Sequence, residues 1–211
     1  MDDLTWLAGT VDLTLLTPDA TADRVRGGVA TVREQGLHGL VVAPSHLPLI
    51  PADVTAVAVV GFPTGRHHTL VKAAEARLAV ETGATEIWLT VDAAVEDPNA
   101  LLAEIVAVRE AVPPPVNLGV IVEAPARADV TPVCRAAQLA GAERLVTATG
   151  WHPAGTTGTD MAVTVGSCAG FLPVTAVGAA PSLAEAVDWL DSGADRLALA
   201  GVGALLSRAG E

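Results

Sequence analysis

AVAVVGFPTGRHHTLVKAAEARLAVETGATEIWLTVD, residues 56–92, is the stretch from which the fold is read. It opens on a β-branched run, 56–62, and turns through Pro63-Thr64-Gly65. An alanine-rich helical stretch follows at 68–83, then a second apolar run at 86–92. Short apolar strands alternating with helices imply a parallel sheet covered on both faces. The join between helix and strand is Glu81-Thr82-Gly83-Ala84. Glycine fits there because a helix C-cap needs the left-handed conformation. The same join recurs as Leu139-Ala140-Gly141-Ala142 and Asp191-Ser192-Gly193-Ala194.

Runs of the same kind lie at 11–17, 39–44, 118–124, 144–150, 173–179 and 196–201, which makes eight predicted strands with the first two. Further helices are predicted at 20–35, 98–112, 127–141, 159–169, 182–193 and 202–209. The Pro-rich link after the second strand is short enough to hold no full helix. Eight strands point to closure as a (β/α)8 TIM barrel. An open doubly wound sheet is the alternative, but no GxGxxG follows the first strand. Pro113-Pro114-Pro115 is a helix stop rather than a linker, so residues 1–211 are expected to form one α/β domain. The 211 residues suffice for one barrel, although about 250 are more usual.

Apolar residues make up 51% of the chain and charged residues 17%, which suits a large buried core and argues against disorder. A net charge of −12 repels phosphate backbones and anionic lipid, so neither nucleic acid nor a membrane surface is an expected partner. No apolar stretch reaches the roughly 18 residues of a membrane span. Met1-Asp2-Asp3 is acidic where a signal peptide is basic. The two cysteines, Cys134 and Cys168, form no close motif, and a reduced cytoplasmic protein is expected.

Several segments, in order along nearly the whole chain, resemble the deoxyribose-phosphate aldolase family. They are Val11-Asp12-Leu13-Thr14-Leu15-Leu16-Thr17-Pro18-Asp19-Ala20-Thr21; Gly61-Phe62-Pro63-Thr64-Gly65 with Lys72, Glu75 and Gly83-Ala84-Thr85-Glu86-Ile87; Val120-Ile121-Val122-Glu123-Ala124; and Thr147-Ala148-Thr149-Gly150-Trp151. The resemblance implies an aldolase-like barrel whose relatives form a Schiff base through a lysine just before the last of these segments. That position is Val146. The lysine that tunes the first falls at Thr175, a lysine of the fifth strand at Gly119, and the aspartate of the proton relay at Trp88. The family's phosphate grip falls at Gly178-Ala179 and Ala198-Leu199-Ala200.

A Schiff base requires a primary amine, and this chain has one lysine, Lys72. It is expected on a helix surface, with Glu75 three residues on. Residues of equal parity on a barrel strand point the same way. In the aldolase-like registration Asp12, Thr14 and Leu16 face inward, as do Trp88, Thr90 and Asp92, and Gly119, Ile121 and Glu123. Asp12, Asp92 and Glu123 are therefore the candidate catalytic groups, three carboxylates expected near one mouth. Crowding there lets one keep its proton and act as acid beside a base. The plainer reading is strand-end polar residues bonded to neighbouring loops. His46, His67, His68 and His152 fall in loops after strands two, three and six, positions from which to act as acid or base or, with the carboxylates, to bind metal. No HxH or HExxH spacing supports a metal. Four tryptophans stand against two phenylalanines and no tyrosine. Trp88 and Trp151 are placed to shape an apolar pocket or to plug an emptied one, while Trp6 and Trp189 are assigned to packing.

The favoured expectation is a cofactor-independent acid–base enzyme, a cyclase, isomerase or lyase, on an unphosphorylated and partly apolar small molecule. Candidate binding residues are Thr14, Trp88, Thr90, Val146, Thr147, Thr149, Trp151, Thr175, His67 and His152. The alternatives are an inactive pseudo-aldolase that binds a metabolite or partner, and a metal-dependent aldolase or lyase using the loop histidines. A homodimer is a further expectation.

Overall fold

The computed structural model describes residues 5–152, 164, 172–179 and 181–206. Eight parallel strands close in chain order: β1 (Val11–Leu15), β2 (Gly39–Val42), β3 (Thr55–Val60), β4 (Glu86–Thr90), β5 (Asn117–Ile121), β6 (Arg144–Val146), β7 (Val174–Gly178) and β8 (Arg196–Leu199). β8 pairs back onto β1, with Asp12 opposite Ala198. The expected (β/α)8 barrel is the architecture observed, and the open sheet is excluded.

The helices are α1 (Thr5–Ala8), α2 (Ala22–Gln35), α3 (Thr69–Glu81), α4 (Pro98–Ala111), α5 (Thr131–Leu139), α6 (Leu183–Asp191) and α7 (Gly203–Leu206). The Pro-rich link after β2 forms a 3-10 helix, Pro44–Leu49. The helix expected over 159–169 lies outside the described residues, as does the end of the one expected over 202–209. α5 starts later than the expected residue 127. A 3-10 turn, Ala124–Ala126, comes first, and the Asp129 side chain then accepts the Thr131 N–H at 2.8 Å. The recurrent joins behave as read: Gly83, Gly141 and Gly193 have φ of 109°, 75° and 103°. Among the described residues, no helix is long and apolar enough to cross a membrane.

Alternation along the strands divides the core in two. Residues such as Leu13, Leu40, Ile87, Leu89, Val120 and Leu145 pack outward against the helices. Val41, Val57, Val59, Trp88, Ile121, Val146, Val177 and Ala198 fill the barrel interior. Beneath them, at the strand N-termini, lies a polar layer. Glu86 accepts from Arg196 Nη2 and from Trp88 Nε1, each at 2.5 Å, and lies 3.6 Å from Arg144 Nε. Arg144 Nη1 donates to Thr175 Oγ1 at 2.8 Å. Asp12 is sealed in the same layer, 3.0 Å from Arg196 Nε and 2.7 Å from His38 Nδ1.

Lys72 is not the surface residue expected. It is fully buried, on the α3 face shared with Ala76 and Ala79. Its stem packs on Gly61, where a Cβ would come within 3.0 Å of it. Its ammonium donates to the Thr90 carbonyl at 3.0 Å and to Glu104 at 2.9 Å. Glu75, its expected companion, instead accepts the Gly61 N–H. The lysine thus ties α3, α4 and the end of β4 together. Removing one partner of a buried pair leaves the other uncompensated, so Lys72→Met should lower unfolding stability by about 3 kcal/mol. The double change Lys72→Met/Glu104→Leu should recover much of that loss. A single variant within about 0.5 kcal/mol of wild type would contradict this assignment.

Candidate active site

The C-terminal ends of the strands open onto two joined spaces. The first is an apolar chamber of about 180 Å³, with Trp88 at its floor, Val59, Ile121 and Val177 on its walls, and Phe62 and Trp151 at its mouth. Phe62 and Trp151 meet edge to face at 5.8 Å. The second is a recess of about 320 Å³ whose lining includes the charged or titratable side chains Arg66, Asp92, Glu123 and His152. Thr149 and Trp151 border both.

The Trp88 floor is set from below. Its indole N–H is fixed by Glu86, and the Arg196 guanidinium carbon lies 5.9 Å from its ring centroid. Gly119 on the neighbouring strand makes the slot: a Cβ there would come within 2.8 Å of Trp88 Cδ1. The indole is 2% exposed, so it separates the charged layer from the chamber.

Glu123 is the strained residue of the site. Its φ of 52° makes it the one non-glycine residue with positive φ among those described. Such strain costs about 1–3 kcal/mol and collects at functional sites. The residue is 8% exposed, and its carboxyl accepts the Thr149 N–H at 2.8 Å. Burial pushes its pKa up, opposed by the Thr149 hydrogen bonds and by the charges of His152 and Arg127. Asp92 accepts the Ala94 N–H at 2.9 Å, and its other oxygen lies 3.4 Å from Arg66 Nε. One carboxyl is thus pushed toward its neutral form beside a second that is paired with a guanidinium.

The three carboxylates expected at one mouth are not together. Asp92 and Glu123 line the same recess, but Asp12 is at the opposite end of the barrel, held by Arg196 and His38. Parity placed Asp12 inside the barrel correctly and said nothing of its height along the axis. Thr14 and Thr149 line the chamber. The Thr90 hydroxyl is buried, with no hydrogen-bond partner among the described residues. Val146 sits in the interior cluster with Trp88 and Val177. Thr147 and Thr175 do not reach the cavity: Thr147 Oγ1 accepts the Val177 N–H, and Thr175 belongs to the lower polar layer. His67 lines an adjacent crevice beside Glu104, which shares Arg66 and Asp92 with the recess, while His68 caps α3 through Nδ1. His46 lies in the 3-10 helix after β2. Among the described residues no three His, Cys, Asp or Glu side chains are grouped to hold a metal.

At the phosphate-grip positions the Ala200 N–H donates to the Gly178 carbonyl at 3.1 Å, and the N–H of the adjacent Gly201 donates to the Ala179 carbonyl at 2.8 Å. They are therefore engaged within the protein. No charged side chain among the described residues lines the chamber. Sequence reasoning missed Phe62 and Arg66, which line the two spaces, and Arg127, which binds the backbone beside them. All three lie in loops just past strand ends, the same positional rule that singled out the histidines.

No family model matches the chain, but curated relatives do. It is 43% identical over 209 residues to the deoxyribose-phosphate aldolase of Nocardia farcinica, covering 95% of this chain and 93% of the relative. Against the deoxyribose-phosphate aldolase of Mycolicibacterium paratuberculosis identity is 42% over 217 residues, covering 97% of each. The tetrameric deoxyribose-phosphate aldolase of Aeropyrum pernix has the same fold, with a TM-score of 0.89 at 27% identity, covering 98% of this chain and 92% of that one. The aldolase QR15 matches with a TM-score of 0.86 at 28% identity, covering 95% of this chain and 92% of that one. Identity of this degree over nearly the whole of both curated relatives, on the same closed barrel, makes this protein a member of the deoxyribose-phosphate aldolase family.

Proposed function

We propose that this family member is a lyase- or isomerase-type enzyme that works by acid–base catalysis, without a Schiff base, on a small unphosphorylated carbonyl compound with an apolar body. The observation that carries the reading is Glu123, a buried carboxyl held in strained backbone on the recess beside Asp92. A carboxylic acid whose pKa is raised holds its proton more tightly and can protonate a developing enolate or alkoxide. Once ionised, it removes the proton α to a carbonyl. Asp92, paired with Arg66, is the second carboxylate. The hydroxyls of Thr14 and Thr149 orient the carbonyl, and Trp88, Phe62 and Trp151 enclose the apolar body.

Two observations support leaving the lysine out. The one lysine of the chain is fully buried outside the barrel interior, with its ammonium engaged by Thr90 and Glu104. The interior position just before Thr147 is Val146, among apolar side chains. An unphosphorylated substrate fits the engaged N–H groups of Ala200 and Gly201.

A second reading, a pseudo-aldolase that binds without turnover, is favoured by the closed aromatic floor at Trp88. Proton exchange separates the two. In D2O, the wild-type protein should catalyse α-deuteration of 3-phenylpropanal, followed by NMR, and Glu123→Gln should slow it by about 10²-fold or more. Undiminished exchange in that variant would refute the assignment of Glu123, and no catalysed exchange in wild type would favour the second reading.

The raised pKa of Glu123 also has a stability consequence. Its folded form holds the proton more tightly than the unfolded chain does, so the stability it contributes is present below the ordinary carboxylate pKa and is lost as pH rises through the folded value. Glu123→Gln removes that loss. The variant should unfold at higher temperature than wild type at neutral pH, and the gap should close below about pH 4. A gap that widens on acidification would contradict the direction of the shift.

A further inference from the structure

Arg127 follows the 3-10 turn at the end of β5 and is half-buried. Its nitrogens donate to three different backbone carbonyls, each at 2.8 Å: Nε to Val122, Nη1 to Val95 and Nη2 to Asp92. Asp92 and Val95 lie in the turn that leaves β4, and Val122 immediately precedes Glu123. The pairing of β4 with β5 ends at Thr90 opposite Ile121. Beyond that pair, Arg127 supplies the tie between the two chain segments.

We propose that Arg127 is the positioning residue of the recess: its guanidinium fork holds the ends of β4 and β5 together, so that the Asp92 and Glu123 carboxyls face one space and Glu123 keeps its left-handed backbone. The proposal rests on the reading of those carboxyls given under Proposed function. Each of the three carbonyls is met by a different nitrogen of the planar guanidinium, whereas a lysine ammonium carries its three donors on one nitrogen at the end of a flexible stem. The strain at Glu123 also has to be offset by its neighbours. Arg127 fixes the carbonyl before it, the Ala124 N–H donates to Thr147 O, the Ala126 N–H donates to Glu123 O, and the Thr149 N–H holds its side chain. Arg127 has carbonyls for hydrogen-bond partners, so its fork is committed to the backbone. The charged and titratable groups around the pair are Asp92, Glu96 and Cys134 on the Arg127 side, and His152 and Arg66 on the recess side.

The test uses the full chain and needs no substrate. Glutamate carboxyls are labelled with 13C and titrated by NMR, with Glu123 assigned by its loss in Glu123→Gln. Arg127→Lys keeps the charge and removes the fork. In that variant the Glu123 midpoint should fall toward the ordinary carboxylate value, as the carboxyl relaxes out of its buried position. The Thr149 amide should exchange with D2O about tenfold faster or more, while amides of β1 to β3 keep their wild-type rates. Guanidinium at non-denaturing concentration should restore both readouts in Arg127→Ala. A wild-type midpoint and wild-type Thr149 protection in Arg127→Lys would overturn the proposal. Uniformly faster exchange across the barrel would overturn it too, since that marks a staple of the whole fold. If Glu123→Gln leaves aldehyde exchange intact, the catalytic reading fails, while the clamp is still decided by these measurements.

Discussion

A closed eight-stranded barrel has an interior that side chains must fill, and in this protein the Glu86 carboxylate organises the lower half of that filling. One of its oxygens takes the Trp88 indole N–H and an Arg196 N–H and lies near Arg144, while Asp12 pairs with Arg196 from the other side. One buried guanidinium, Arg196, and one half-buried guanidinium, Arg144, thereby face two buried carboxylates. Such clusters add little net stability, because desolvation offsets attraction, but losing any one member leaves a buried charge unpaired. Burial and the nearby Arg196 push Arg144 below its ordinary pKa, and Glu86 and Asp12 oppose that shift.

The consequence is felt one layer up. With its N–H anchored downward and Gly119 clearing its flank, Trp88 lies across the barrel as a floor. Polar groups below it, including Asp12 and Thr175, are cut off from the mouth. What remains above is an apolar chamber, and the polar chemistry is displaced sideways into the recess between the ends of β4 and β5. There Glu123 and Asp92 face a common space, held by contacts to Thr149, Arg66 and Arg127. The site is thus asymmetric: no charged side chain lines the chamber at the barrel axis, while Asp92, Glu123 and Arg66 line the recess at its rim.

The fold was legible because its signals are local and repeated. The βαβ unit over 56–92 and the three Gly-Ala joins each report a helix ending into a parallel strand, and the two-residue period correctly turned Trp88 and Ile121 inward. The site was legible only in part. Strand parity fixes which face a residue takes, but strand tilt and stagger fix its height, so Asp12 was grouped with carboxylates at the far end. Lys72 was read as a surface residue because Glu75 drew attention, whereas the line it forms with Ala76 and Ala79 marks the buried face of α3. Arg127 had no motif to betray it: its partners are backbone carbonyls brought together by the fold, and carbonyls carry no sequence signature.

The central claim is that the barrel carries no amine that reacts with substrate, and borohydride trapping tests it most directly. The protein is incubated with deoxyribose 5-phosphate or acetaldehyde, reduced, and weighed intact by mass spectrometry. The account predicts no added mass and no cleavage of the sugar phosphate. A stable adduct mapped to Lys72 would contradict it, because that lysine would have to leave Thr90 and Glu104 to reach a carbonyl.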